Sequence, residues 1–255
     1  MTRACILIPI LMAACTSSSG EGENTSALTR DDYDDTAQAV ASTTADGNAG
    51  ELSAMSASAD IALGVMPLGF VVVGNGDIQG NRLGLSYQLT VACEDVNGTS
   101  LERCTDDTDR ANVDVAWSGN LDTSHFDASV DRQGSWTLAG LQSNVITFDG
   151  SSTFSYDATL LSIFRPGAQA SFSFDAAADY QAVLVDGQTH DAIGGRATFA
   201  LDARKVVTGT NADVDKSFSV DAELEFHADR TATMTLDGDN VYTLNLATGV
   251  VVRTN

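Results

Sequence analysis

The chain has 255 residues, and its 35 Asp and Glu outnumber its 13 Lys and Arg, which gives a formal net charge of −22. Such a charge repels the phosphates of nucleic acids and the surface of anionic membranes, so it argues against a nucleic-acid-binding function. Lysine is nearly absent, since Lys205 and Lys216 are the only two.

The first residues have the layout of a secretory signal. Arg3 is followed by an apolar run over 4–14 that contains Pro9 and ends in two small residues. This run is much shorter than the roughly 20 apolar residues that cross a bilayer as a helix. The sequence therefore predicts export and cleavage of residues 1–14 rather than a retained transmembrane helix.

The end of the apolar run carries a lipidation signal. Met12-Ala13-Ala14-Cys15 resembles the lipobox of bacterial lipoproteins, with Met12 at the position where leucine is usual, and the resemblance covers only the first fifteen residues. It implies a mature chain that begins at Cys15 and carries acyl chains such as palmitate on its thiol and amine. Several acyl chains attach a protein stably to a membrane. Thr16, which stands where an aspartate would retain such a lipoprotein at the inner membrane, indicates the outer membrane.

Residues 15–63 have the composition of a tether. They are rich in Ser, Thr, Ala, Gly and acids and poor in aromatics, so they bury too little apolar surface to fold alone. Within them, 31–45 and 51–63 are compatible with one or two short helices resting on a folded domain. Their expected contacts are Val40, Met55 and Ile61.

Residues 64–255 are expected to form one β domain. Apolar and polar residues alternate from Leu83 to Cys93, and the same period of two recurs at 113–117, 172–180 and 218–226. Asn-Gly and Asp-Gly turn pairs begin at positions 75, 97, 149, 186 and 237. Short connections join antiparallel neighbours. The prediction is an all-β fold of about ten to twelve antiparallel strands, as a β-sandwich or a strongly curved or closed β-barrel.

The cysteines indicate a disulfide. Once Cys5 has left with the signal and Cys15 carries lipid, Cys93 and Cys104 remain, and the Asn-Gly pair between them predicts a hairpin that brings the thiols together. Two thiols without a neighbouring His or Cys make a poor metal site. In an oxidising periplasm, a Cys93–Cys104 disulfide is therefore expected.

The three histidines, His125, His190 and His227, have no zinc or catalytic-triad motif around them. His190 precedes Asp191 and could orient a base for a serine elsewhere, which is the basis of a hydrolase alternative. His227 with Asp229 could contribute to a metal site, but it continues the polar face of its strand. The sequence predicts no catalytic residue, no metal ligand and no cofactor.

Acidic clusters at 106–109, 211–215 and 237–240 could offer oxygens to calcium. The second cluster fails as an EF-hand loop, because Lys216 and Ala222 stand where the motif needs glycine and glutamate. Solvated acidic turns are the favoured interpretation.

Trp117 and Trp136 either fill the core or line an apolar cavity, and core packing is the commoner role. The predicted function is that of a lipid-anchored envelope β domain acting as an interaction, structural or ligand-carrying module. The alternatives are a barrel that binds a lipid or other apolar ligand, and a hydrolase. The expected partners are the membrane through the anchor, an envelope protein or an apolar ligand, and no nucleic acid.

Overall fold

The computed structural model describes residues 27–48, 50–74, 77–82, 84–122, 126–164, 169–207 and 214–254. Two helices, α1 (Arg30–Thr44) and α2 (Glu51–Ala62), flank a short 3₁₀ turn (Asp46–Asn48) and precede the strands. The strands are β1 (Phe70–Val72), β2 (Asp77–Arg82), β3 (Leu85–Glu94), β4 (Arg110–Asp122), β5 (Phe126–Ala139), β6 (Val145–Leu161), β7 (Gln169–Asp186), β8 (Ala192–Val207), β9 (Val214–His227), β10 (Thr231–Leu236), β11 (Asn240–Asn245) and β12 (Val251–Arg253).

Several sequence predictions concern residues outside these ranges. The signal peptide, Cys15 and the first part of the expected tether lie there. So do His125, the Asn-Gly pair at 75 and residues 211–213 of the second acidic cluster.

The twelve strands form one antiparallel sheet in which each strand pairs with its neighbours in sequence, in the order β1 to β12. This confirms the all-β antiparallel fold. The edge strands β1 and β12 do not pair with each other in the described part of the chain, so the sheet is open rather than closed on itself.

The sheet has a buried inner face and a polar outer face. In β3 the alternation is strict, with Leu85, Tyr87 and Leu89 buried and the intervening residues exposed. The inner face contacts α2 from β3 and β4, and it contacts α1 from β10, β11 and β12. Because one face touches the same pair of helices near both edges, the sheet curves around them.

Both helices belong to the core. The α1 helix begins with a capping box, in which the Thr29 N–H donates to Asp32 Oδ2 at 2.9 Å and the Asp32 N–H donates to Thr29 Oγ1 at 3.3 Å. The expected contacts Val40, Met55 and Ile61 are all buried. The two predicted helices are therefore present, and they contribute to the same hydrophobic core as the strands.

The expected tether over 15–63 needs correction from Arg30 onwards, because these residues lie inside the fold. The helices are rich in alanine, and Ala37, Ala39 and Ala41 are completely buried. Small side chains let a helix approach a curved sheet closely. The small-residue composition of these helices, which predicts a solvent-exposed tether, thus reflects close packing against the sheet.

The connection from β3 to β4 contains the predicted hairpin and disulfide. Cys93 and Cys104 are disulfide-bonded. The Asp95 N–H donates to the Thr99 carbonyl at 2.9 Å, and Gly98 adopts a left-handed φ of +77°. This φ explains the preference for glycine after asparagine at this turn.

The Asp-Gly pair at 149 is not a turn, which corrects that prediction. Gly150 lies inside β6, where the pairing with β7 is shifted by an irregularity next to Phe148. A Cβ atom at Gly150 would lie 2.4 Å from the Ser135 carbonyl oxygen on β5. Glycine is therefore required by the close approach of a neighbouring strand.

The up-and-down order gives the sheet two distinct ends. The β3–β4 connection with the disulfide and the connections after β5, β7, β9 and β11 lie at one end, called the disulfide end. Lys205, near the end of β8, and Lys216, near the start of β9, lie towards the opposite end, called the lysine end.

Candidate functional site

Basic side chains project from the inner face of the sheet, at positions where the alternation would place apolar residues. They are Arg132 on β5, Lys205 on β8, Lys216 on β9 and Arg253 on β12. Each of them pairs with an acidic residue of α1 or α2. The helices and the sheet therefore have complementary charges where they meet.

The deepest pair joins Arg132 to Glu51, the first residue of α2. Their side chains are 1% and 0% exposed. Arg132 Nη1 also donates to the Thr43 carbonyl at 3.3 Å, and the guanidinium lies over the Phe154 ring, 3.7 Å from its centroid. Ser152 on β6 donates to Glu51 Oε1 at 3.1 Å. These contacts fix the start of α2 against β5 and β6.

Burial dominates the protonation chemistry around Glu51. It raises the pKa of the Glu51 carboxyl, while the Arg132 charge and the hydrogen bond from Ser152 act in the opposite direction. Burial also raises the pKa of the Tyr180 hydroxyl well above its usual value, and the Glu51 charge adds to this effect. Because these groups are sealed from solvent, their arrangement serves the fold rather than chemistry on a soluble substrate.

The second group is the lysine cluster, which consists of Asp32, Asp35, Lys205 and Lys216. The two lysines are directly opposite each other on β8 and β9. Lys216 Nζ lies 2.8 Å from Asp32 Oδ2, and Lys205 Nζ lies 3.3 Å from Asp32 Oδ1 and 2.5 Å from Asp35 Oδ2. Two like charges opposite each other destabilise a sheet, and the aspartates offset this repulsion.

The electrostatics of Asp32 follow from this setting. Burial by itself raises the pKa of the Asp32 carboxyl, but hydrogen bonds from Lys216 and Thr29 outweigh burial and hold the pKa at about 2. Asp32 is therefore an anion near neutral pH, as a residue placed between two ammonium groups requires.

The third pair holds the edge strand β12. Asp34 on α1 pairs with the Arg253 guanidinium, whose Nε lies 3.1 Å from Asp34 Oδ1. The Tyr242 hydroxyl on β11 donates to the same oxygen at 2.9 Å. Burial raises the pKa of Tyr242 to about 12.

His190 lies at the disulfide end in a small cavity of 80 Å³. Its Nδ1 is 3.4 Å from Ser56 Oγ and 3.4 Å from Asp60 Oδ1, both on α2. The structure thus places a serine beside His190, as the hydrolase alternative required, while Asp191 pairs with Arg230 at 3.0 Å. A nucleophile–base–acid relay needs the serine and the acid on different ring nitrogens, and here both approach Nδ1.

The other candidate residues, His227 and Asp229, do not converge on a common site. His227 Nε2 lies 2.9 Å from Thr233 Oγ1, while Asp229 Oδ1 accepts from the Thr231 N–H at 3.2 Å. Within the described ranges, no group of three or more His, Cys, Asp or Glu residues is placed to hold a metal ion.

Carboxylates of two of the three acidic clusters are bonded to the protein itself. Asp237 accepts from the Asp221 N–H and from the Tyr33 hydroxyl, both at 2.9 Å. Asp215 forms a paired contact with the Arg204 guanidinium at 2.9 and 2.7 Å. The Asp237 carboxylate thus stabilises the turn after β10, and the Asp215 carboxylate stabilises the pairing of β8 with β9.

Both tryptophans pack in the core. Trp117 and Trp136 are 3% and 2% exposed, and their ring centroids are 5.9 Å apart. A Cβ atom at Gly134 would lie 2.9 Å from Trp136 Nε1. The Trp136 ring therefore packs against position 134 because glycine has no side chain there. The core-filling interpretation is confirmed, although Trp136 Nε1 has no hydrogen-bond partner among the described residues.

The outer face carries hydroxyl and carboxylate side chains in cross-strand pairs. Ser155 on β6 donates to Asp175 on β7, and Ser219 on β9 donates to Asp202 on β8, each at 2.6 Å. Two open grooves follow the curvature of this face. One, of 710 Å³, includes Gln133 in its lining and crosses β2 to β6, and the other, of 670 Å³, crosses β6 to β9.

The inner ion pairs are the feature that the sequence analysis missed. Their signal was a basic residue within an apolar alternation, such as Arg132 two positions after Val130, or Lys216 two positions before Phe218. Their acidic partners lie in the segment whose composition predicts a tether, so the sequence does not indicate this pairing.

No family model, curated protein or solved structure matches this chain. Of the helices in the described part, neither has the length and apolarity needed to cross a bilayer.

Proposed function

We propose that this protein is a lipid-anchored module of the cell envelope, attached through Cys15, that presents the outer face of its sheet to an envelope partner. The outer membrane is the proposed location. In this role the protein acts by interaction or as a structural component, without catalysis.

The observation that supports this proposal is the position of Ala27, the first residue that the structure describes, relative to the sheet. The Ala27 carbonyl accepts a hydrogen bond from Lys216 Nζ at 3.1 Å, at the lysine end of the sheet. From Cys15 to Ala27 an extended chain reaches at most about 40 Å. An anchor at Cys15 would therefore hold the lysine end within about 40 Å of the membrane and leave the disulfide end and the outer face available.

The chemistry of the outer face supports an interaction role. Its hydroxyl and carboxylate groups, with Asp175 and Asp202 directly opposite each other, suit a partner that offers basic groups and hydrogen-bond donors. Because α1 and α2 occupy the inner face, a partner would meet the outer face and its grooves first.

The alternatives have less support from the geometry. An apolar ligand would need the inner face, where side chains such as Val40 and Met55 of the helices already pack. A hydrolase would need His190 to contact Ser56 and Asp60 through different ring nitrogens, and both contacts are at Nδ1.

The anchor is tested by replacing single cysteines in the native host. We expect the wild type and a Cys5→Ser variant to incorporate labelled palmitate and to fractionate with the outer membrane. Cys15→Ser should lose both properties, because it removes the thiol that accepts the lipid. Cys5 is the matched control, since it lies in the apolar run that the proposal assigns to the signal. Label retained in Cys15→Ser, or absent from the wild type, would contradict the anchor.

The interaction is tested by site-specific photo-cross-linking in cells. A photoreactive side chain at Gln133, in the first groove, or at Ser217, in the second, should give discrete adducts that disappear at high salt, because charge pairing is screened. Thr243, which is exposed on β11 outside both grooves, is the matched control and should give none. Equal adducts at all three positions, or none in either groove, would refute the proposed surface.

A further inference from the structure

The lysine cluster has a chemical property that the arginine pairs lack. Lys205 and Lys216 are the only lysines in the chain, and both lie in this one buried cluster. The other two ion pairs between the inner face and the helices use arginine, namely Arg132 and Arg253. An amine differs from a guanidinium in that it becomes a nucleophile once it loses a proton.

We propose that Lys205 and Asp35 condense to an amide bond, which cross-links β8 covalently to α1, and that Asp32 carries the proton during this step. The geometry supports the assignment. Lys205 Nζ lies 2.5 Å from Asp35 Oδ2, and the two side chains are 5% and 2% exposed. Asp32 Oδ1 lies 3.3 Å from the same nitrogen. This inference goes beyond the proposed envelope role and does not depend on it.

The reaction is a condensation that needs no oxidant or other reagent. A proton passes from the Lys205 ammonium to the Asp35 carboxylate, which leaves a neutral amine beside a neutral acid. Nζ then attacks Asp35 Cγ, Asp32 takes a proton from Nζ and returns it to the departing hydroxyl, and one water molecule is released. Asp32 ends in its starting state, with Lys216 still as its counter-ion.

Burial and proximity favour the product. A buried ion pair carries a desolvation cost that a neutral amide avoids. Condensation is unfavourable between free molecules in water, but effective concentrations of positioned groups reach about 10⁵–10⁸ M.

Mass spectrometry of the full chain tests the inference directly. The Cys15→Ser chain, which avoids acyl heterogeneity, is denatured and reduced, and its intact mass is measured. We expect it to be lighter than its sequence by the mass of one water molecule. A protease that cuts after lysine should cut after Lys216 but not after Lys205, because an acylated Nζ is not recognised. Peptide mapping should yield a branched peptide that joins Asp35 to Lys205.

Substitutions identify the atoms involved. Lys205→Arg keeps the charge but offers no amine, so the loss of water should disappear. Lys216→Arg is the matched control in the same cluster, and it should retain the loss of water. The intact mass and the cleavage pattern of the chain with the unsubstituted cluster test the proposal even if a variant does not fold. A full sequence mass with cleavage after both lysines would overturn the proposal, as would a cross-link that maps to Lys216 and Asp32.

Discussion

Replacing Arg132 by methionine is expected to lower the free energy of unfolding by about 3–5 kcal/mol, because it leaves a buried carboxylate without its partner. Glu51 is completely enclosed, and burial already raises its pKa. The substitution also removes the contact of the guanidinium with the Phe154 ring. Urea unfolding followed by tryptophan fluorescence measures the change, since Trp117 and Trp136 lie in the same core.

The exposed pair of Arg204 and Asp215 is the matched control. It has good geometry, but its side chains are 57% and 59% exposed, so Arg204→Met should lower the free energy of unfolding much less than Arg132→Met. Combining Glu51→Gln with Arg132→Met should cost less than Arg132→Met alone, because no unpaired charge remains. If Arg132→Met cost no more than Arg204→Met, the inner pair would not stabilise the fold as argued.

Replacing Cys93 and Cys104 together by serine is expected to reduce the free energy of unfolding by about 3 kcal/mol. The disulfide closes a loop with a sequence separation of 11, and its main effect is to restrict the unfolded chain. Unfolding of the wild type and of the double variant in urea, under oxidising conditions, gives the difference.

Reduction of the wild type is the control for this prediction. With a strong reductant present, the wild type should become as unstable as the double variant, and the variant itself should not change. A loss below about 1 kcal/mol would mean that the hydrogen bonds of the hairpin, such as the one from the Leu101 N–H to the Cys93 carbonyl, hold this connection without the covalent bond.

The β domain was predictable because its signals are local. A period of two in hydrophobicity marks a strand that is buried on one face, and Asn-Gly or Asp-Gly marks a tight turn. These rules gave the fold class, the strand number and the disulfide between Cys93 and Cys104. They were misleading at Gly150, where a neighbouring strand, distant in sequence, requires the glycine.

The position of the helices was not predictable in the same way. Composition indicates how much apolar surface a segment can bury, and α1 has few large apolar side chains. The helix is nevertheless enclosed by the sheet on nearly all sides. Its aspartates appear solvated when α1 is considered alone. Three of them, Asp32, Asp34 and Asp35, are buried. Their partners Lys205, Lys216 and Arg253 come from strands far along the chain.

The sequence by itself thus determined an all-β antiparallel domain, a disulfide hairpin and an acidic chain whose first residues resemble a lipoprotein signal. Tertiary structure alone decided that the sheet curves around α1 and α2 and that its inner basic residues pair with their acids. The reason is physical. Strand periodicity and turn preference depend on neighbours in sequence, whereas the protonation and stability of a buried ion pair depend on charges brought together only by folding.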